Sequence, residues 1–404
     1  MLRFSSDPND YLPAVFVRWS GQECFNFSPL IYANGCRNIA ITGSGRLLGG
    51  GRDWWEWHRH ESRVSAQLYQ MVLEDVPVSR RRFASRDQPL RPQMILPINC
   101  EDVLLSDFAI DEAGPFWSVH LAYCANVTVR GISINTPAGP NTNGIVVDSS
   151  RDVLIEHCRL DTNDDCVALK SGLNEDGWRV GRAAENIVIR HVECSGPSGA
   201  ISIGSEMSGD VRNVLVHDCR IRRAGMGIRL KSARGRGGTV EDIVVRDVQM
   251  DRIDGDAVQI TTEFSTFVSP DGRPPTFRHI TIRNILCAEA ETAVRLVGLP
   301  DCALQSICLQ NLSIHSREGL LCTSATGILL EDLKIRPRTG PVFSIKDSQE
   351  VVINGLNPGA NGNVFLDLRG RRTRNIRLAG ESSYPGRPVV VLGADVPRDS
   401  ILQE

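Results

Sequence analysis

The chain reads as all-β, wound into a parallel β-helix of about ten coils with one inserted helix. Three observations predict this. A short alternating pattern returns along the 404 residues, a second alternating strand precedes many of its copies, and Asn, Asp or Gly heads most units. Alternation with period 2 means strand. Units of 21 to 37 residues are too short to bury a core of their own, so they must stack.

In order, the pattern is NIAITGSG from Asn38, DVLLSDF from Asp102, NVTVRGI from Asn126, DVLIEHC from Asp152 and NIVIRHV from Asn186. It continues as NVLVHDC from Asn213, DIVVRDV from Asp242 and HITIRNI from His279, with weaker copies from Ser306, Gly327, Glu350 and Asn375. The residue heading each copy suits a tight turn. A leucine-rich repeat would need a fixed Leu and Asn spacing, which is missing. Residues 1–404 are therefore read as one β-helix domain.

The preceding strands are GIVVDS from Gly144, CVALKS from Cys166, AISIGS from Ala200, GIRLKS from Gly227, AVQITT from Ala257 and AVRLVG from Ala293. Their apolar register points Ile145, Val167, Ile201, Ile228, Val258 and Val294 inward. Outward columns then hold Val146, Ala168, Ser202, Arg229, Gln259 and Arg295, and beside them Asp148, Lys170, Gly204, Lys231, Thr261 and Val297. Coils stack roughly 4.8 Å apart. Asp164, Asp165, Ser202, Arg229 and Lys231 are thus expected within two coils of one another.

Residues 53–85 break the period. Asp53-Trp-Trp-Glu-Trp-His and SRVSAQLYQMVLEDVP read as an inserted helix, and packing on the solenoid is preferred to sugar stacking for Trp54, Trp55 and Trp57. A net charge of −3 without a Lys/Arg block argues against nucleic acid or an anionic membrane as partner. No run of 18 apolar residues marks a membrane span. Of twelve cysteines, Cys124, Cys158, Cys219, Cys287 and Cys308 are read at apolar positions of the repeat, as buried free thiols. The start has no apolar leader, so the expectation is a cytoplasmic protein. No cofactor, metal cluster or phosphate-cradling loop is expected.

The tract from Asp161 through Asp164-Asp165-Cys166 to Gly172 sets two adjacent carboxylates ahead of a strand. Paired carboxylates can cut glycosidic bonds. With Gly114-Pro-Phe-Trp-Ser-Val-His120, NTNG at 141–144, ISIGSEMSG at 201–209 and IRLKS at 228–232, this tract resembles the polygalacturonases, glycoside hydrolase family 28. The resemblance runs from about Ser6 to about Thr262 and more loosely beyond. It implies a right-handed parallel β-helix that hydrolyses pectic polymers with inversion.

Carried over by motif, Asp164 matches the general acid and Asp165 a carboxylate that activates water. Arg229 and Lys231 match the pair that holds the substrate, and guanidinium and ammonium suit a uronate carboxylate. Asn143 stands where the family has its first aspartate, Ser198 where it has a histidine, and Val146 where it usually has a further acid; Asp148 remains. Rhamnogalacturonan hydrolases of the family lack that histidine too. Asn143, Ser198, Ser202, Lys170 and His120 complete the expected substrate-binding set, His120 as a structural residue near the cleft. Ser198 shows no base beside it in the sequence, so it is not read as a nucleophile.

The reading is an inverting, exo-acting hydrolase of a uronate-containing polysaccharide or oligosaccharide. Asn143 and Ser198 motivate the first alternative, a non-catalytic carbohydrate-binding β-helix; a polysaccharide lyase is the second. Relatives begin with an extra coil and capping helix, and Met1 falls at or after its end. That predicts either a start further upstream, with secretion, or self-association through the uncapped end.

Overall fold

The computed structural model describes residues 1–264, 269, 271–355, 364–379 and 389–403. It divides into two compact units, Met1–Arg212 and Asn213–Glu404. Each winds as a right-handed parallel β-helix whose strands stack in register from coil to coil, which is the expected fold class.

In the first unit the lead residues form one interior line. Ile39 pairs with Val103, Val103 with Val127, Val127 with Val153 and Val153 with Ile187. The residues heading these copies sit in the left-handed region, with φ of 55° at Asn38, 58° at Asp102, 54° at Asn126, 56° at Asp152 and 57° at Asn186. Asn and Asp tolerate this conformation better than other L-residues. They also ladder, Asn186 Nδ2 donating to Asp152 Oδ1 over 2.9 Å.

Two elements near the N-terminus shape the site. Strands β1 (Val15–Trp19) and β2 (Gln22–Asn26) form an antiparallel hairpin. Helix α1 (His58–Leu73) lies within the segment expected to be an insertion, after a 3-10 turn at Gly51–Trp57. It buries Glu61, Val64, Ser65, Leu68, Tyr69 and Val72, one face of a 3.6-residue period. Trp54 is buried against Tyr11, Phe27 and Trp57, so packing rather than an exposed platform accounts for it.

The sheet behind them holds β3 (Ile95–Ile98), β4 (Val119–Ala122), β5 (Ile145–Asp148) and β6 (Val167–Lys170), in register. It continues into β7 (Glu193–Gly204), where Ala168 pairs with Ser202. Every residue of β3 to β6 is buried, on both faces. Val17, Trp19 and Cys24 of the hairpin and Val64 and Leu68 of α1 pack over Val146 and Ala168. Each such aliphatic side chain contributes roughly 1.5–3 kcal/mol when removed from water. The outward columns are therefore roofed at these coils. A second short helix, α2 (Asn174–Val180), occupies the long coil before Ile187 and was not expected.

At the first coil the short strand Leu2–Arg3 stacks on Leu47 and Leu48, but among the described residues no strand stacks beneath Ile31–Asn34 or Arg37–Thr42. Ile31, Ala33, Ile39 and Ile41 stay half exposed around an apolar cavity of about 190 Å³.

In the second unit the interior line runs Ile243, Ile280, Ile307, Ile328, Val351, Ile376 and Ile401. The last step adds a strand the repeat search did not name. Cys124, Cys158, Cys219 and Cys287 are buried, but Cys308 is half buried. It directly follows the inward Ile307 and pairs with Thr281 and Leu329 on the outer face, which corrects its assignment to an apolar position.

Candidate active site

The strand Arg159–Thr162 ends in a turn that presents Asp164 and Asp165 before β6 begins. Side chains fix this turn. Thr162 Oγ1 donates to the carbonyl of Asp164 at 2.6 Å, and Asn163 Nδ2 donates to the carbonyl of Gly139 at 2.9 Å. The Asp165 N–H donates to Asp164 Oδ1 at 2.8 Å, and Asn141 Nδ2 reaches Asp164 Oδ2 at 3.4 Å. Asp164 is half buried, whereas Asp165 is 1% exposed.

From the next coil, β7 brings Ser198 and Gly199. Ser198 Oγ lies 3.0 Å from Asp164 Oδ1 and 3.1 Å from Asp165 Oδ1, and the Gly199 N–H donates to Asp165 Oδ1 at 2.9 Å. Ser198 thus has two carboxylates beside it, which the sequence did not reveal. Gly199 is required for this approach. A Cβ there would stand 2.3 Å from Ser202 Oγ and 2.6 Å from Asp165 Oδ1. Asn143 sits one coil back, its carbonyl accepting from Ser118 N–H and its neighbour Gly144 N–H donating to the carbonyl of Asp165. Asn143 Oδ1 and Ser202 Oγ are both buried without a hydrogen-bond partner. Buried polar atoms are normally paired, so these two suit a water or a substrate hydroxyl.

Because both acids touch one hydroxyl, their near oxygens are at most about 6 Å apart. The usual inverting separation is roughly 6.5–9.5 Å, with water between the groups. The separation here is shorter than this range, so an attacking water would have to sit beside Asp165 rather than between the two acids.

Other expected residues lie under the hairpin. His120 is fully buried, with Nε2 3.5 Å from Asp148 Oδ2 and Nδ1 3.4 Å from Gln93 Nε2. Burial lowers its pKa and outweighs Asp148, so the ring is held neutral. Asp148, the acid that remained in the motif, is also fully buried. Its desolvation is overcome by Arg18, whose Nε lies 3.2 Å away, and by His120, so its carboxyl is held below the usual range. Lys170 is 5% exposed. It pairs with Glu206 and donates to the carbonyl of Gly204 at 3.2 Å. Burial would lower its pKa, but Glu206, helped by Asp165 and Asp164, raises it. Its charge is held beneath the site by Glu206.

Arg229 and Lys231 belong to the second unit. There Arg229 Nε donates to Gln259 Oε1 at 3.0 Å, Gln259 Nε2 to Asp256 Oδ2 at 2.6 Å, and Arg295 Nε to the same Asp256 oxygen at 2.9 Å. Both cations lie over the Phe264 ring, 5.1 Å and 5.2 Å from its centre.

Sequence reasoning missed Arg18, Asn141, Glu206 and Arg91, a buried residue that pairs with Glu61 of α1 and donates from Nη2 to Asn141 Oδ1 at 3.0 Å. Asn141 lay inside a quoted motif, but no feature of the sequence distinguished it. The two arginines carry no motif, and their role comes from long-range packing.

Known proteins resemble the chain in sequence and in fold. The description "Glycosyl hydrolases family 28" matches residues 79–326. A probable polygalacturonase of Vitis vinifera is 31% identical over 313 residues, covering 75% of this chain and 58% of its own length. The chain thus spans little more than half of that relative. The solved structure of a hyperthermoactive exopolygalacturonase from Thermotoga maritima aligns with a TM-score of 0.75 at 30% identity, over 87% of this chain and 78% of its own. A polygalacturonase from Erwinia carotovora shares the fold, with a TM-score of 0.61, 23% identity and 80% coverage of each chain. On the extent of the family match, the chain belongs to glycosyl hydrolases family 28.

Proposed function

We propose that the chain is a glycoside hydrolase that removes units from the end of a polygalacturonate-type chain by an inverting acid/base mechanism. The observation that carries this reading is the pair Asp164 and Asp165, set on a family motif and joined by Ser198. Asp164, the more exposed acid, protonates the leaving oxygen. Asp165 takes a proton from water held beside it, with Asn143 Oδ1 and Ser202 Oγ as further partners. A general base contributes about 10²–10⁴ in rate. Arg229 and Lys231 are assigned the uronate carboxylate on the strength of the family motif.

The name of the Thermotoga maritima relative supports exo action. So would an end wall built by the inserted segment, whose helix α1 is tied through Glu61, Arg91 and Asn141 to Asp164. The twelve cysteines form no disulfide, which suits a reducing compartment, so cytoplasmic location is part of the proposal. Self-association through the half-exposed first coil is also proposed, since apolar solenoid ends are normally covered. A sedimentation coefficient independent of concentration would remove that element.

The experiment is incubation with polygalacturonate, rhamnogalacturonan and short uronate oligomers, reading reducing ends and near-ultraviolet absorbance together. New reducing ends without absorbance support the hydrolase. Absorbance would make it a lyase, and binding without cleavage a carbohydrate-binding relic.

A further inference from the structure

We propose that Ser198 is a positioning residue that makes Asp164 and Asp165 hold one proton between them and returns it after each turnover. The proposal rests on the acid/base reading of this pair. It starts from hydrogen counting. A serine hydroxyl has one hydrogen to donate and two lone pairs. Ser198 Oγ lies 3.0 Å from Asp164 Oδ1 and 3.1 Å from Asp165 Oδ1. With both acids ionised, the single hydrogen serves one carboxylate, and the other oxygen faces a lone pair. With one proton on the pair, both contacts become hydrogen bonds. Asp164 O–H donates to Ser198 Oγ, and Ser198 O–H donates to Asp165 Oδ1.

An acid/base pair needs this state, with one acid protonated and its neighbour bare. The bridge favours it against the Lys170 ammonium behind the pair and the two backbone N–H donors, which pull towards bare carboxylates. The Gly199 N–H on Asp165 Oδ1 and the Asp165 N–H on Asp164 Oδ1 hold both oxygens in place around the hydroxyl.

The same chain supports a reset. After hydrolysis by the proposed route, Asp164 has given its proton to the leaving oxygen and Asp165 has taken one from water. Asp165 O–H then passes its proton to Ser198 Oγ while the original Ser198 proton passes to Asp164. Two O–H bonds break and two form, one proton moves on balance, and the serine is unchanged. A side chain without a hydroxyl cannot do this, and Ser198→Ala leaves the two acids without a common donor.

The test is the pH dependence of kcat/KM for wild type, Ser198→Ala and Ser198→Thr, together with titration of ¹³C-labelled aspartate carboxyls in the same proteins. Asp164→Asn and Asp165→Asn assign the two resonances. One hydrogen bond to a charged group corresponds to about 1–2 pH units at most, so a shift on the order of 0.5–1 unit is expected. Ser198→Ala should move the alkaline limb to lower pH by that amount, and Ser198→Thr should restore it. Unchanged limbs and unchanged carboxyl titrations in Ser198→Ala would overturn the proposal, even if the rate fell. The carboxyl titrations need no turnover. If wild type proves inactive on every substrate, the hydrolase reading fails, while the titrations still decide whether Ser198 makes the acids share a proton.

Discussion

Arg91 donates from Nη2 to Asn141 Oδ1 over 3.0 Å, and Asn141 in turn directs its amide at Asp164. Arg91 is fully buried. Its side chain is gripped by Glu61 of α1 through three contacts at or below 3.1 Å and also donates to the carbonyls of Pro115 and Pro140. The inserted helix is thereby coupled to the turn that carries the acids.

Arg91→Met should unfold the protein more easily, because it leaves the buried Glu61 carboxylate without its guanidinium, with only His58 and the residue-91 N–H to face it. Losing one partner of a buried ion pair costs about 3–5 kcal/mol. Asn141→Ala should leave stability within about 1 kcal/mol but lower kcat, since Asp164 loses an orienting donor. Chemical denaturation and initial rates on the two variants separate these effects.

The buried group around Asp148 predicts an acid-sensitive fold. The pKa of His120 is lowered from 6.5 on folding, so the unfolded chain binds more protons below that pH. Stability should fall as pH drops through 6.5. The pKa of Asp148 is lowered from 3.8, so its contribution is present above that value and lost below it. Thermal melts in steps from pH 8 to pH 3 should show both losses. His120→Asn should flatten the upper one and leave most of the lower one, which Arg18 sets first.

Arg229→Gln and Lys231→Met should raise KM for an oligouronate while changing KM for a carboxyl-reduced oligomer little. Charge-assisted hydrogen bonds are worth about 1.5–3 kcal/mol, or on the order of 10–100-fold in binding. Steady-state kinetics on the two ligands checks this.

Exo action predicts that short products accumulate from the first minutes while polymer viscosity falls slowly. A rapid drop in viscosity at low reducing-end release would show internal cutting. Truncation within α1 is not a clean control, because its buried face carries Glu61 and Leu68.

The coil architecture was legible because it is local. Asn38, Asp102, Asn126, Asp152 and Asn186 announce the left-handed corners, and the alternation after each fixes which side chains face inward. Asp164 and Asp165 stood out through their motif, but the bridge that Ser198 makes between them did not, because it arises only when consecutive coils stack. What covers the sheet was not. The hairpin at Val15–Asn26 alternates like any other strand pair, and nothing local says that Arg18 will reach Asp148 and Tyr123 more than a hundred residues away. Lys170 was therefore expected to reach substrate and His120 to stand near the cleft as a structural residue, whereas both are buried beneath this cover. Cys308 was misplaced by one step of a period-2 pattern, which is enough to exchange the core face for the outer one.

The most direct measurement is reducing-end release from polygalacturonate by wild type, Asp164→Asn and Asp165→Asn at matched melting temperature. The account predicts activity in wild type and a loss on the order of 10²–10⁴-fold in each variant. Equal rates in all three proteins would contradict it.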